Sequence, residues 1–365
     1  MEVVMAGWYL PFTSKTKRCI GSGKDQGENL PKIDESVEGN LAMERDDDPL
    51  LANKPLSLRT IFFPLGFPVE IATNSPGIIE AARQSWGRFQ FKFPFPPLLF
   101  RLGVNGDGVE GEVPPPPIYR LQWNMLSNIA DGENFVVSDL EKGRSSGWVT
   151  RATVEAPLYL RYFFLEAAAL AMISVLRAQP VHAACVALQS QGVLLCGDSG
   201  AGKSSLAFAC ARSGWTYVSD DASYIPLNRS DRLVVGNSHQ IRFRPSGASI
   251  FPELEGRPIT PRAAGKPSIE VPITDFPDIV ASESSEVHFI IRLNREQGRC
   301  QELVRVPSGS LASAFRRDLI PVTAGVGGTQ ENAIRRLLEA ETYELRYTDL
   351  DWAVERLQQL VRTGR

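Results

Sequence analysis

The chain has 365 residues, 43% of them hydrophobic and 22% charged, with a formal net charge of −3. That composition fits a soluble globular protein long enough for two domains, and it gives no support to a bulk binder of nucleic acid. Cys19, Cys185, Cys196, Cys210 and Cys300 show no C-x-x-C spacing, and three of them lie in apolar segments. Reduced thiols in a cytoplasmic protein are therefore expected, and with 3 histidines a His-rich metal site is not.

Met1 to Leu10 carries Glu2 and no basic stretch, which speaks against a secretory signal. Residues 1–57 are polar and Gly-rich, with the acid run Glu44-Arg45-Asp46-Asp47-Asp48, and are expected to form a disordered or loosely attached tail. Residues 58–150 read as a small mixed α/β domain that helps recognise a substrate. Its strands are expected over Thr60–Phe63 and Val69–Thr73, near Ile118–Leu121 and Asn134–Ser138, and over Gly147–Val154. A helix is expected over Pro76–Trp86, with Ser75 as N-cap. Phe91–Phe100 and the run Pro114–Pro117 read as loops, the latter as a rigid connector rather than an SH3-type ligand.

Residues 151–365 read as a second domain. It opens with an apolar helix over Ala156–Ala178, interrupted by Arg161, Glu166 and Arg177. The longest uncharged run, Ala167–Leu176, is too short to cross a bilayer, so no membrane is expected. Ala183–Leu188 and Gly192–Cys196 read as a hairpin, followed by strands over Trp215–Ser219 and Val287–Leu293. Glu331–Ala340 and Asp349–Val361 read as helices, with Tyr343–Tyr347 extended between them.

The sharpest motif is Gly197-Asp198-Ser199-Gly200-Ala201-Gly202-Lys203-Ser204, a full match to G-x-x-x-x-G-K-[ST]. It stands between a short apolar strand and a helical stretch, Ser205–Arg212, that ends at Ser213-Gly214. The glycines let backbone N–H groups turn toward phosphate oxygens, and the helix N-terminus adds positive potential. Lys203 would reach the outer phosphates of ATP, and the Ser204 hydroxyl would bind Mg2+; backbone N–H groups through Ser205 complete the cradle.

Asp220-Asp221 follow the Trp215–Ser219 strand, where a metal-serving carboxylate belongs. One of the two can serve the metal and the other accept a proton; a plain turn is the alternative. His182 precedes the first hairpin strand, so it would lie beside the phosphate loop, either contacting phosphate or tuning an aspartate, or be purely structural. His239 and His288 are expected to be structural. Arg242 and Arg244 would line the cleft or an exposed strand face.

His182, the Gly-Asp-Ser-Gly-Ala-Gly-Lys-Ser loop, Gly214 and Val218-Ser219-Asp220-Asp221 together resemble the catalytic domain of the HPr kinase/phosphorylase family. The resemblance is specific over about Val181 to Arg242. It implies an α/β fold with an α+β tendency, a P-loop on a mixed sheet of the kind shared with phosphoenolpyruvate carboxykinases. It also implies Lys203 for phosphates, Ser204 for Mg2+, and Asp220 or Asp221 as base and metal partner; Asp221 is named here as the candidate metal ligand. The chain departs from the family pattern in three ways. Gln240 stands in Gln240-Ile241-Arg242-Phe243 where the family has Glu, Ala183 follows His182 where the family has Gly, and no counterpart of the Gly-Arg-Asn loop is evident. The resemblance is therefore to divergent members acting on acceptors other than HPr.

These features point to an ATP-dependent kinase acting on a hydroxyl, seryl in first place, of a peptide or protein, with a small-molecule hydroxyl behind it. A nucleotide hydrolase switch and a nucleotide-binding regulatory module are the alternatives. The sequence leaves open ATP against GTP or pyrophosphate, and assembly as a homo-oligomer.

Overall fold

The computed structural model describes the backbone of residues 2–5 and 8–11, and residues 50–51, 55–105, 112–260, 267–295, 300–317 and 324–364. The fold is mixed α/β. A 7-stranded sheet runs in the order β3 (Leu58–Phe62), β4 (Val69–Thr73), β5 (Leu98–Val104), β9 (Arg144–Val149), β8 (Phe135–Asp139), β7 (Met125–Ile129), β6 (Ile118–Gln122). The Pro76–Trp86 helix is the crossover between the parallel strands β4 and β5. Its Ile78, Ile79, Ala81, Ala82 and Trp86 are buried at helical spacing. Ser75 has the extended backbone of an N-cap, but its side chain makes no capping bond.

The long helix Pro157–Leu176 lies in the same core as this sheet, and its Tyr162, Phe164, Met172 and Val175 are buried there. Tyr119 Oη donates to the Phe163 carbonyl at 3.1 Å. The expected break at residue 150 thus falls ahead of a helix that packs with the first sheet. The reading of its apolar run as too short is amended as well. By length and composition the helix would cross a membrane, but 78% of its most apolar stretch is buried inside the molecule. Its seven residues Leu160–Glu166 form a π-helical segment, a form that recurs near functional sites.

Most of residues 1–57, expected to form a loose tail, lie outside the described residues, but two described parts of that span are structured. Glu2–Met5 and Trp8–Pro11 (β1 and β2) pair antiparallel. Leu51 and Leu56 are buried with Ala72 and against Trp148, whose indole N–H donates to the Leu50 carbonyl at 3.0 Å. Apolar residues inside a polar segment had too little periodicity to show this. Removing residues 1–57 is expected to cost on the order of 3 kcal/mol, from two leucines taken out of the core. A lowered thermal midpoint would show it; an unchanged one would restore the dispensable tail.

The second sheet has 9 strands. β11 (Ala183–Leu188) and β12 (Gln191–Cys196) form the expected hairpin, closed by Gln189 and Ser190 at φ 50° and 64°, the left-handed pair that a two-residue turn requires. β12 pairs in parallel with β19 (Ser284–Asn294), and β11 pairs antiparallel with β13 (Thr216–Ser219). β10 (Ala178–Val181), β14 (Ser223–Pro226) and β15 (Leu233–Gly236) extend one side. β20 (Glu302–Arg305) and β21 (Glu341–Arg346) pair at the other side of β19. The Lys203–Arg212 and Leu350–Thr363 helices cover one face. Asp349 caps the latter through Trp352 N at 2.7 Å. A third sheet holds β16 (Gln240–Phe243), β18 (Ser268–Pro272) and β17 (Ile259–Thr260). Cys185, Cys196 and Cys210 are buried as expected, and Cys300 is exposed. Cys19 lies outside the described residues.

Candidate functional site

Strand register brings the singled-out residues to one end of the second sheet. Ala183 is opposite Cys196 in the hairpin, so His182 stands beside Gly197. Cys185 is opposite Ser219 on the other side of β11, which places Asp220-Asp221 at that same end. All the strand residues that hold these turns, Ala183 to Val186, Gly192 to Cys196 and Tyr217 to Ser219, are buried. The site therefore hangs from a rigid base rather than from loops alone.

The phosphate-type loop has the geometry its glycines imply. Gly200 and Gly202 both lie at φ +94°, a conformation L side chains rarely adopt. Space around Gly200 is open. Gly202 has a second constraint: a Cβ there would stand 2.4 Å from Tyr347 Oη. That hydroxyl donates to the Ala201 carbonyl at 3.0 Å and props the loop from behind. Lys203 is buried at the first turn of its helix, its Nζ donating to the carbonyls of Gly197 at 2.8 Å and Asp198 at 3.2 Å. Ser204 Oγ donates to the Asp220 carbonyl at 3.2 Å, which ties the loop to the aspartate step. Gly202→Ala is expected to weaken Mg-ATP binding in calorimetric titration. Adding Tyr347→Phe would remove the clash and recover part of the loss. The left-handed strain of about 1 kcal/mol would stay.

The two aspartates differ in setting. Asp220 is buried, and its Oδ2 accepts from the Arg242 backbone N–H at 2.6 Å. Tyr217, donating to the Gln240 carbonyl at 3.0 Å, lies beside it. Burial and the Asp220 carboxylate hold the Tyr217 hydroxyl well above its ordinary pKa, so it stays protonated. Asp221 is partly exposed and faces His182, with Nδ1 and Oδ1 3.5 Å apart. His182 thus meets an aspartate, one of the two roles considered for it. His239 Nε2 lies 3.1 Å from Glu283 Oε1 and its ring meets that of Phe89 edge-on at 4.6 Å, while His288 Nδ1 lies 3.0 Å from the Glu286 carbonyl.

Arg242 is the centre of a buried ionic cluster, whereas Arg244 is exposed. Arg242 Nε donates to Glu270 Oε2 at 2.9 Å on the neighbouring strand β18. Tyr162 Oη donates to Glu270 Oε1 at 2.5 Å. With its amide oriented so that oxygen faces donors and nitrogen an acceptor, Gln240 joins them, donating to Glu270 Oε1 at 2.9 Å and accepting from Arg242 Nη2 at 2.7 Å. Burial alone would raise Glu270, but the Arg242 guanidinium and the Tyr162 hydroxyl outweigh it and hold the carboxyl below its usual range. Glu166 accepts from Ser85 Oγ at 2.8 Å, and burial pushes its pKa up against the pull of Arg242 and Arg161. A cavity adjoins this cluster, bounded by Asp220 and Asp221 on one side and by Leu65, Trp86 and Phe89 on the other.

Sequence reasoning had no local pattern for Tyr347, Tyr162, Glu166 or Glu270. Tyr162 and Glu270 are 108 positions apart, so only the fold joins them. The available signal was Arg161 and Glu166 interrupting the most apolar stretch of the chain.

The loop fits a nucleotide triphosphate by its open glycine turn, buried lysine and serine. Among the described residues no three His, Cys, Asp or Glu side chains form a ready-made metal cluster. Mg2+ would be held by one or two protein oxygens, here the Ser204 hydroxyl and an aspartate, with phosphate and water completing its shell. No protein-family model matches the sequence, and no curated protein matches it. Among solved structures, the Hpr(Ser) kinase/phosphatase from Coxiella burnetii is similar over 51% of this chain and 96% of its own, at 17% identity and a TM-score of 0.30, a distant likeness.

Proposed function

We propose that this protein is a kinase that uses Mg-ATP to phosphorylate a hydroxyl, seryl in first place, on a peptide or protein acceptor other than HPr. One observation carries the reading: strand register gathers Lys203, Ser204, the Asp220-Asp221 pair and His182 at one end of a single sheet. Phosphoryl transfer asks for little else from a protein than positioning and charge. Bound Mg-ATP supplies the γ-phosphoryl group and a leaving oxygen that departs with the electron pair of the broken bond. Lys203 and the backbone N–H groups from Gly200 to Ser205 hold the phosphates in place. Ser204 and Asp220, joined through the Asp220 carbonyl, stand ready to hold the metal. Asp221 is the better base, because it is partly exposed, borders the cavity and has His182 to steady it. It takes the proton of the acceptor hydroxyl as that oxygen bonds to phosphorus. Sequence named Asp221 as the candidate metal ligand and left the base open between the two; the metal role is here given to Asp220 instead.

Incubation with γ-labelled ATP and candidate serine peptides tests the reading. Label on an acceptor supports it. Free phosphate alone favours the hydrolase switch, and neither product favours a binding module.

A further inference from the structure

We propose that the cavity beside the aspartate pair is the acceptor site, and that it takes an aliphatic hydroxyl carried next to a positive charge. The proposal rests on the kinase reading and adds to it the class of acceptor. Position is the first argument. Asp220 and Asp221 form one wall, so a group lodged here meets the proposed base directly. The opposite wall comes from the first sheet's core, through Leu65, Trp86 and Phe89. The acceptor is therefore enclosed between the two sheets, and the cavity admits a side chain or a small compound rather than a folded surface.

Rigidity is the second argument. Leu65 lines the cavity at φ 55°, a left-handed conformation rare for a branched apolar residue. Such strain persists where surrounding packing fixes it, and it clusters at ligand-binding walls. Leu65 is itself buried, and Lys92 packs behind the neighbouring Gly66. This wall is held in shape before any ligand arrives.

Charge is the third. The lining carries the carboxylates of Asp220, Asp221 and Glu166 against a single cation, Arg242. Arg242 is already engaged by Glu270 at 2.9 Å. Glu166 accepts a hydrogen bond from Ser85 and forms looser ion pairs with Arg161 at 3.7 Å and Arg242 at 3.6 Å, Arg242 being shared with Glu270. An ammonium or guanidinium on the acceptor would pair with Glu166 against the aromatic wall of Trp86 and Phe89. An acidic acceptor would meet the Asp221 carboxylate and the lining's excess of carboxylates over guanidinium groups, and bind less well.

The test uses the full chain with labelled Mg-ATP and two matched sets of acceptors. One set is serinamide, N-acetylserinamide and N-acetylserine, cationic, neutral and anionic in turn. The other is a hexapeptide with lysine, glutamine or glutamate beside its serine. The expected result is a preference of about tenfold or more in kcat/KM for the cationic over the anionic member, in whichever set is used. Glu166→Gln should shrink that ratio to about threefold or less, with Mg-ATP affinity unchanged in calorimetry. Ala222→Leu, which fills the cavity, should abolish acceptor turnover and also abolish serinamide or lysine-peptide binding measured without nucleotide, while Mg-ATP still binds. Turnover confined to one set supports the proposal and identifies the acceptor as small or peptidic. Equal rates across charges, no turnover of any of the six, or an Ala222→Leu variant as active as the parent would overturn it. Failure of the unmodified chain to bind Mg-ATP would instead sink the kinase reading, and this proposal with it.

Discussion

Lys203→Ala is expected to weaken Mg-ATP binding by about 100-fold or more while leaving the fold intact. In the structure its ammonium is buried and turned onto the Gly197 and Asp198 carbonyls, at 2.8 and 3.2 Å. Those carbonyls hold the side chain at the mouth of the loop, not in the apolar core. Charge-assisted bonds to phosphate are about 1.5–3 kcal/mol each, and an ammonium can make two. Losing about 3 kcal/mol corresponds to roughly 100-fold in affinity. Calorimetric titration reads the affinity, and a thermal melt reads the fold. An unchanged affinity would mean that the glycine loop does not hold phosphate at all.

The two aspartates are expected to part company when each is changed to asparagine. Asp221→Asn should lower transfer by about 10²–10⁴-fold, the usual weight of a general base, with Mg-ATP bound nearly as before. Asp220→Asn should lower transfer, Mg-ATP binding and thermal stability together. Its Oδ2 accepts a 2.6 Å bond from the Arg242 N–H, in a buried setting where an amide nitrogen would present a donor to a donor. The split in binding separates the roles: if Asp221→Asn also loses Mg-ATP, the base and metal assignments are exchanged. If both variants turn over like the parent, the pair is no more than a turn.

The motif end of the site was legible in sequence because it is local. Gly197 to Ser204 is contiguous, the hairpin is closed by two residues, and Asp220-Asp221 end a strand, so short-range pattern fixes all three. The register that unites them also followed, since His182 was placed by pairing its strand with the one that delivers the loop. What stayed hidden is assembled across the chain. Tyr347 comes from the far end to prop Ala201, and Glu270 reaches Tyr162 over more than a hundred residues. The strands of the third sheet went unread apart from the extended stretch near Arg242, because strands of 4, 5 and 2 residues carry almost no periodic signal. Pro157–Leu176 was read as a helix but assigned to the wrong core, for a helix that is apolar all round does not say which sheet it joins.

The pairing of β12 has a consequence for how the molecule loosens. It is hydrogen-bonded on both sides, antiparallel to β11 and parallel to β19, and from Gly192 to Cys196 it is fully buried. Amides in such a strand open only when the whole domain unfolds, at the top of the range of local stabilities. The glycine loop begins at the next residue and is exposed over residues 198–200, so opening there costs less. A steep gradient of protection therefore crosses a single peptide bond, Cys196–Gly197. On the kinase reading proposed above, nucleotide exchange would draw on motion of the loop alone, without disturbing the strand that supports it.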